Sequence, residues 1–345
     1  MKKVMIALAA VAMVAFAGCK KDSDTITMNV GFNDDLNSVK EGWYNYGNQV
    51  VFQAGDMCIV NGTRYSMQLD YDDVTASDPS NFTYSRFATI KMCPDMLHAP
   101  AWMLYPSNAF YEDNTYGFGF DLSDMVSMPE PSTPAFYMTS LTSGYSEWPL
   151  CAYIPSVANG QTFNLKNTTA LVAPAVKWGS DFIGEFNANY GTHFSTSNAK
   201  VTVNKVTLYS DQNIAGSGYV SNVETAADAN PTCLFVIDEN MQDGWANTQI
   251  EAVPTYNNNS NNAIIGVSDN YVTVGNIAVP VLTSGYIWMD MEFTITENGQ
   301  TPKHMLYHSG RAAIGTNLTL VRSKRTTMVA NFFSSNPDWS KFVEL

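Results

Sequence analysis

The chain has 345 residues, and its 18 Lys and Arg against 32 Asp and Glu give a formal net charge of −14. So acidic a surface excludes nucleic acid as a partner and disfavours anionic lipid headgroups, because both require basic patches. Charged residues make up only 14% of the chain while Tyr, Thr, Ser and Asn are abundant. This balance is typical of β-rich extracellular proteins.

The N-terminus carries the pattern of an export signal. Two lysines precede an apolar stretch, 4–16, that leads through Ala-Gly to Cys19. The stretch is shorter than the roughly 20 residues of a membrane-spanning helix, and its ending, FAGC, resembles the bacterial lipobox. We therefore expect a signal peptide over 1–18 and a lipidated Cys19, with palmitate-type acyl chains that hold the protein to a membrane. A short charged linker, 19–24, would follow.

Period-two alternation of polar and apolar residues predicts the strands of the mature chain. The predicted strands lie at 25–32, 50–52, 57–60, 101–105, 162–165, 201–209, 233–237, 271–274, 287–296, 317–322 and 326–333. Clusters of Gly, Asn, Asp and Pro separate them, and no stretch outside the leader has convincing helical periodicity. Many short strands separated by turns predict an all-β fold built from β-sandwiches.

Two domains are expected, because the processed chain exceeds the length of one typical core. The best boundary is the turn-forming stretch Ala-Asn-Gly-Gln at 158–161, directly before the strand predicted at 162. The sequence therefore predicts an N-terminal sandwich over 25–158 and a C-terminal sandwich over 159–345.

The cysteines leave two interpretations open. Besides Cys19 there are four, far apart in sequence and without a C-x-x-C pattern: Cys58, Cys93, Cys151 and Cys233. One or two disulfides would suit an oxidising compartment, whereas small buried apolar cysteines explain the same residues equally well.

No catalytic, cofactor or metal site is predicted. His304 and His308 are spaced i and i+4, but their flanks indicate a strand, on which they would lie about 13 Å apart. The Gly-x-Gly pairs at 117–119 and 216–218 lack a third glycine and a following helix, so turns or bulges are expected there. Paired carboxylates of a glycosidase are a tertiary property that a sequence does not reveal. We expect a protein that is not an enzyme and carries no cofactor.

A glycan-binding surface lipoprotein of a polysaccharide-uptake system is the alternative function. Its evidence is a set of aromatic side chains that could stack on sugar rings, Trp102, Trp148, Trp178, Trp245, Trp288 and Tyr286. Exposure of two or three coplanar rings would distinguish such a surface from ordinary core aromatics.

Four segments in order resemble motifs of the fimbrillins, the lipoprotein-derived subunits of Bacteroidetes-type fimbriae. The segment 51–60, VFQAGDMCIV, is similar to the family's phenylalanine, glycine-aspartate and apolar strand. The segment 101–106, AWMLYP, resembles its aromatic strand ending in tyrosine-proline. The segment 161–172 looks like the strand that opens the second domain, and 203–208 followed by 215–219 resembles a strand, short loop and glycine-rich restart.

The resemblance implies two transthyretin-like β-sandwiches with Greek-key connections. It also implies a structural role as a stalk, anchor or tip subunit of adhesive fimbriae at the outer membrane. The expected partners are other fimbrial subunits, the membrane through the lipid on Cys19, and a host or bacterial surface ligand.

Family members assemble by strand exchange: a protease removes the first strand, and a C-terminal strand of a neighbouring subunit fills the vacated groove. The family is commonly trimmed after arginine, and here Lys40 is the basic residue that follows the first strand. The donor would be the tail 332–345, with apolar Phe333, Trp339, Phe342 and Val343. The alternative for this tail is a terminal strand folded back on its own domain.

Overall fold

The computed structural model of the chain describes residues 25–32, 49–53, 55–69, 74–77, 83–85, 87–93, 100–108, 110–113, 117–121, 126–127, 135–137, 149–178, 180–221, 234–241, 246–252, 264–265, 268–273, 276–322, 325–332 and 337–345. The predicted signal peptide, the linker, Cys19, Lys40 and Phe333 lie outside them.

The predicted all-β fold is confirmed, since the described chain is mostly strand. Its elements are β1 (Ile26–Phe32), β2 (Gln49–Gln53), β3 (Met57–Val60), β4 (Thr63–Ser66), β5 (Gln68–Leu69), β6 (Val74–Ser77), β7 (Thr83–Ser85), β8 (Phe87–Met92), β9 (Ala101–Tyr105), β10 (Tyr111–Asp113), β11 (Gly117–Asp121), β12 (Val126–Ser127), β13 (Ala135–Tyr137), β14 (Leu150–Ile154), β15 (Thr162–Asn167), β16 (Ala170–Trp178), α1 (Ser180–Tyr190), β17 (Lys200–Ser210), β18 (Ala215–Ser221), β19 (Leu234–Ile237), β20 (Ala246–Asn247), β21 (Gln249–Ala252), β22 (Ile264–Ile265), β23 (Ser268–Thr273), β24 (Asn276–Val279), β25 (Tyr286–Thr296), β26 (Lys303–His308), β27 (Ala312–Ala313), β28 (Arg325–Phe332), a 3₁₀ turn (Trp339–Lys341) and β29 (Phe342–Glu344).

These strands form five sheets within the described ranges. The largest has eight strands in the order β4-β3-β9-β14-β15-β1-β8-β5. A seven-stranded sheet follows β21-β17-β25-β26-β29, with β22 joined to β17 and β27 joined to β25. A five-stranded sheet has the order β12-β24-β16-β23, with β28 parallel to β16. The other two are β10-β11-β18-β19 with β20 on β18, and β13-β2-β7-β6.

The eight-stranded sheet packs on the first cluster, a group of buried apolar side chains that includes Met28, Ile59, Ile90, Tyr105 and Phe163. Alternation places them there: β8 is buried at every second residue, and its remaining residues are exposed or half-buried. Successive side chains of a strand point to opposite faces, so one apolar set lines the core.

The seven-stranded sheet packs on the second cluster, which includes Phe182, Phe186, Val206, Met289 and Phe293. Alternation is again clear along β25, whose five inward side chains from Ile287 to Ile295 are fully buried. The helix α1 contributes aromatic side chains to the same cluster.

The strand β16 is buried on both faces and lies between the two clusters. Leu171 belongs to the first cluster, whereas its neighbours Ala170 and Val172 belong to the second. A strand covered on both faces reads as a continuous apolar run without alternation, as ALVAPAV does here. This explains why period-two alternation did not predict β16.

The expectation that no helix follows the leader was wrong, because α1 covers Ser180–Tyr190. Its interior glycine and asparagines are weak helix formers, so propensity gives little signal. Its stability comes from a stripe of apolar side chains, Phe182, Ile183 and Phe186, all fully buried in the second cluster. Tertiary packing of one face stabilises such helices.

Two further local expectations were wrong. The predicted strand at 317–322 contains only single bridges, at Leu318 and Leu320. The Gly-x-Gly pairs lie within β11 and β18 rather than in turns. A Cβ on Gly218 would lie 2.1 Å from the carbonyl oxygen of Val236, so this glycine permits close approach of β19.

The predicted boundary at 158–161 immediately precedes β15. The structure places β15 in the eight-stranded sheet, where it pairs with β1 and β14. The second cluster begins at Ala170, after Thr168 and Thr169, which are fully buried. The division into two domains stays a prediction, and the passage between the two clusters lies at 167–170.

The cysteines are of both expected kinds. Cys93 is disulfide-bonded. Cys58 and Cys151 are free thiols buried in the first cluster.

Candidate functional site

The strand β1 lies inside the eight-stranded sheet, between β8 and β15. It pairs antiparallel with β8 over six residues and parallel with β15 over four. The side chains of Met28 and Val30 are fully buried in the first cluster. Removing β1 would therefore leave a groove with an apolar floor and two unpaired strand edges.

The turn after β14 also holds β1. The amide of Gly160 donates to the carbonyl oxygen of Thr27 at 2.8 Å, and the side-chain amide of Asn29 donates to the carbonyl oxygen of Gly160 at 2.9 Å. The side-chain oxygen of Asn159 accepts from the amide of Thr27 at 2.9 Å. The turn-forming stretch predicted as a boundary thus contacts β1.

The segment 337–345, which covers most of the predicted donor tail, packs on its own subunit. β29 forms an edge of the seven-stranded sheet through antiparallel pairing with β26. Phe342 is buried against Phe182, Phe293 and Tyr307, with ring centroids 5.1 to 6.4 Å apart. The ring of Trp339 stacks on Phe182 at 5.7 Å, whereas Val343 is exposed.

Charged groups fasten both ends of this segment. The Asp338 carboxylate accepts from the hydroxyl of Ser340 at 2.6 Å, and this hydrogen bond lowers the pKa of Asp338. The ammonium group of Lys303 donates to the Glu344 carboxylate at 2.5 Å. The burial of Tyr307 beneath the segment raises the pKa of its phenol, and the charge of Asp338 adds to this effect.

β1 and β29 thus belong to different sheets and different clusters. The strand-exchange prediction relates them only between subunits, since the tail of one subunit would replace β1 of the next. Within one subunit they are the first and last described strands, and neither contacts the other's ladder.

Two of the four fimbrillin-like segments meet at a buried hydrogen bond. The hydroxyl of Tyr105, from the segment 101–106, donates to the carboxylate of Asp56, from the segment 51–60, at 2.5 Å. Tyr105 is fully buried and is joined to Pro106 by a cis peptide bond. The glycine-aspartate and tyrosine-proline motifs therefore act as one structural unit in this chain.

The two predicted histidines lie on β26, as the strand interpretation requires. Nδ1 of His304 is 3.0 Å from the hydroxyl of Thr294, and Nδ1 of His308 is 2.7 Å from the carboxylate of Asp290. Each histidine thus has its own partner on β25. Across the described ranges, no three His, Cys, Asp or Glu side chains converge as metal ligands.

A polar and aromatic patch that the sequence did not reveal covers the outward face of β17, β25 and the end of β26, together with Arg311. We call it the Trp288 patch, and it consists of Tyr209, Tyr286, Trp288, Asp290, His308 and Arg311. The ring of Trp288 is parallel to that of Tyr209 within 10°, at 5.7 Å. Tyr209 is far in sequence from the members on β25, so only the register of β17 on β25 brings it beside them.

The other aromatic residues proposed for glycan binding are placed differently. Trp102 packs on the first cluster, 6.3 Å from the ring of Phe118. Trp148 and Trp245 lie outside the described residues, and the structure describes only the backbone of Trp178.

In the described part of the chain, no helix has the length and apolarity needed to cross a membrane.

The chain matches no protein-family model and no curated protein. Among solved structures it is similar to a protein from Bacteroides ovatus named for a proposed role in cell adhesion, at 11% identity and a TM-score of 0.41, over 93% of this chain and 95% of that one. A second such protein, from Bacteroides uniformis, aligns at 13% identity and a TM-score of 0.37, over 94% and 97%. A fimbrial protein from Bacteroides ovatus aligns at 11% identity and a TM-score of 0.29, over 89% and 48%. These TM-scores are too low to establish a common fold, so the function is inferred from the chain itself.

Proposed function

We propose that this protein is a subunit of a cell-surface fimbrium, exported as a lipoprotein through Cys19 and assembled by strand exchange. The observation that carries the proposal is the position of β1, a strand that precedes the basic residue Lys40 and lies inside a sheet. One cleavage after Lys40 would separate β1 from the rest of the chain.

The opened groove would require a replacement strand. Burial of side chains such as Met28 and Val30 contributes about 1.5–3 kcal/mol each. The unpaired edges of β8 and β15 would add the cost of exposed apolar and backbone groups. An incoming strand would restore both, with main-chain hydrogen bonds for affinity and alternate side chains for register.

The donor in this proposal is the tail 332–345 of a neighbouring subunit. Its β29 occupies a sheet edge, with a ladder of three residue pairs to β26. Edge pairing on one side is easier to release than pairing on two sides. Phe342 and Val343 point to opposite faces of β29, and Phe342 is the buried side chain, so Phe342 would be the one placed on the floor of the groove.

The test is expression of the full-length protein in a host with lipoprotein export, followed by N-terminal sequencing and electrophoresis without boiling. Wild type is expected to begin at Glu41 and to give a heat-labile ladder. Lys40→Gln should keep its lipidated Cys19 and run as a monomer. Lys200→Gln removes an exposed lysine elsewhere and should behave as wild type.

Deletion of 337–345 separates donor from acceptor. The deleted subunit should still be trimmed, and it should add to wild-type chains only at the end where its groove is filled. A wild-type protein that keeps its lipid and never forms a ladder would contradict the subunit proposal in its polymerising form. An intact monomer of this kind would favour an anchor or tip subunit, or the glycan-binding alternative.

A further inference from the structure

The Trp288 patch lies on the face of the seven-stranded sheet opposite the second cluster. Along β25 the inward residues Ile287, Met289 and Met291 are fully buried. The intervening Tyr286, Trp288 and Asp290 are therefore on the outward face. Around this face the β17–β25 pairing runs without a register shift from Lys205 to Ser210, and β25 continues the sheet to β26.

Aromatic rings and a guanidinium group form a continuous stacked row across this face. Tyr209 and Trp288 are direct cross-strand partners, and their rings are parallel. The guanidinium carbon of Arg311 lies 4.3 Å from the ring centroid of Trp288 and 5.8 Å from that of Tyr286. Tyr286 is 45% exposed, so an apolar ring faces solvent beside the cation.

Among the residues that the structure describes, Arg311 has no acidic partner. In the described part of the chain its guanidinium group has no hydrogen bond and no ion pair, and its contacts are the two aromatic rings. A guanidinium group stacked on a ring keeps its N–H donors at its edge, where a planar carboxylate can accept two of them. The chain as a whole carries a net charge of −14, so this cation is locally distinct.

Groups that can hydrogen-bond hydroxyls lie next to this stacked row. Asp290 follows Trp288 by two residues on β25, about 7 Å along the strand. Its carboxylate pairs with Nδ1 of His308 at 2.7 Å. The phenol of Tyr209 is part of this group: burial raises its pKa, and the nearby negative charge of Asp290 raises it further. Carboxylate, imidazole and phenol can each hydrogen-bond a sugar hydroxyl.

We propose that the Trp288 patch binds a carboxylate-bearing saccharide, such as a hexuronate residue of an acidic glycan. The carboxylate lies on the edge of Arg311, the C–H face of the pyranose lies on the exposed ring of Tyr286, and the hydroxyls reach Asp290 and His308. This site goes beyond fimbrial assembly and does not depend on it.

Charge complementarity selects this ligand. A neutral sugar would leave Arg311 unpaired, whereas a small inorganic anion would make no use of the rings. Two acidic side chains of the face already have partners: the Asp290 carboxylate lies 2.7 Å from Nδ1 of His308, and Glu292 forms an ion pair with Lys205 at 2.6 Å.

The experiment is calorimetric titration of the purified full-length protein in detergent with trigalacturonate, beside its neutral counterpart galactotriose. Trigalacturonate should bind, with an affinity that falls as salt rises, and galactotriose should bind at least about tenfold more weakly. Arg311→Gln should weaken trigalacturonate binding by about tenfold or more, because it removes a charge-assisted hydrogen bond. Lys200→Gln, on the same sheet, should leave the affinity unchanged.

Tyr286→Ala provides a second variant whose side chain is exposed, so its fold is at little risk. It should weaken binding severalfold at an unchanged melting temperature. No binding of trigalacturonate, an affinity insensitive to both variants, or equal binding of acetate or a peptide carboxylate would each overturn the proposal. The heat-labile ladder of the Arg311→Gln variant should match that of wild type. A negative result for saccharide binding would therefore not count against the assembly proposal.

Discussion

The first and last described strands, β1 and β29, are held by different forces. β1 has seven residues, ladders on both sides and two fully buried side chains. β29 has three residues and one ladder, and it depends on Phe342 within an aromatic group. β1 is therefore an integral strand of its sheet, whereas β29 is added at the edge of its sheet. Removal of β1 would open the sheet and the first cluster unless another strand took its place. Detachment of β29 would affect only the edge of its sheet.

The largest expected effect is on the β1 side. Met28→Ala removes a fully buried side chain from the first cluster and should lower the free energy of unfolding by about 3 kcal/mol. Denaturant unfolding measures this. Thr27→Ala, on the opposite face of the same strand, should change it by less than about 1 kcal/mol.

Thiol labelling locates the damage within the molecule. Burial raises the pKa of Cys58, so its thiol should react with iodoacetamide only after the first cluster opens. Met28→Ala should accelerate labelling of Cys58 and Cys151. Equal labelling rates in Met28→Ala and Thr27→Ala would show that β1 is not needed to close this cluster.

A smaller global effect is expected on the β29 side. Phe342→Ala would cost about 3–5 kcal/mol if the segment stayed in place. Because an edge segment can detach alone, the global loss should be limited to about 1–2 kcal/mol. Hydrogen exchange at Phe342 and Leu345 should instead become fast, while Cys58 labelling stays slow. Val343→Ala, on the exposed side of the strand, is the matched control, and a full-sized global loss in Phe342→Ala would remove the distinction between the two strands.

The smallest effect is a pH dependence confined to the β29 side. The pKa of Asp338 is lowered by its hydrogen bond from Ser340, so its contribution is present above its ordinary value of 3.8 and is lost as pH falls through the lowered pKa. Amide exchange at Ser340 and Lys341 should therefore speed up in acid. Asp338→Asn should abolish this pH dependence, and the same dependence in the variant would assign it to another group.

The sequence predicts strands where one face is buried and the other is wet. The alternation along 287–296 located β25 to within one residue, and 25–32 did the same for β1. It failed for β16, which is buried on both faces, and for α1, whose apolar stripe matters only once the second cluster exists. Local pattern carries no information about a second covering layer.

For the candidate site, too, the sequence located individual segments but not the contacts between distant segments. The first strand and the tail were found as segments, because each has its own apolar pattern. The Trp288 patch was not, since Tyr209, Trp288 and Arg311 meet only through the register of β17 on β25 and the turn before β27. Register is a long-range property that no single segment encodes.

The short passage from β15 to β16 has a mechanical consequence. Its two residues, Thr168 and Thr169, are fully buried, and the hydroxyl of Thr168 donates to the carbonyl oxygen of Pro149. The side chain of Asn167 accepts from both the amide and the hydroxyl of Thr169. A tensile load between the two sheets would cross this passage with no slack, and it would shear the ladders of β15 and β16 together. Separating these two sheets would therefore require rupture of paired strands rather than the straightening of a loose linker.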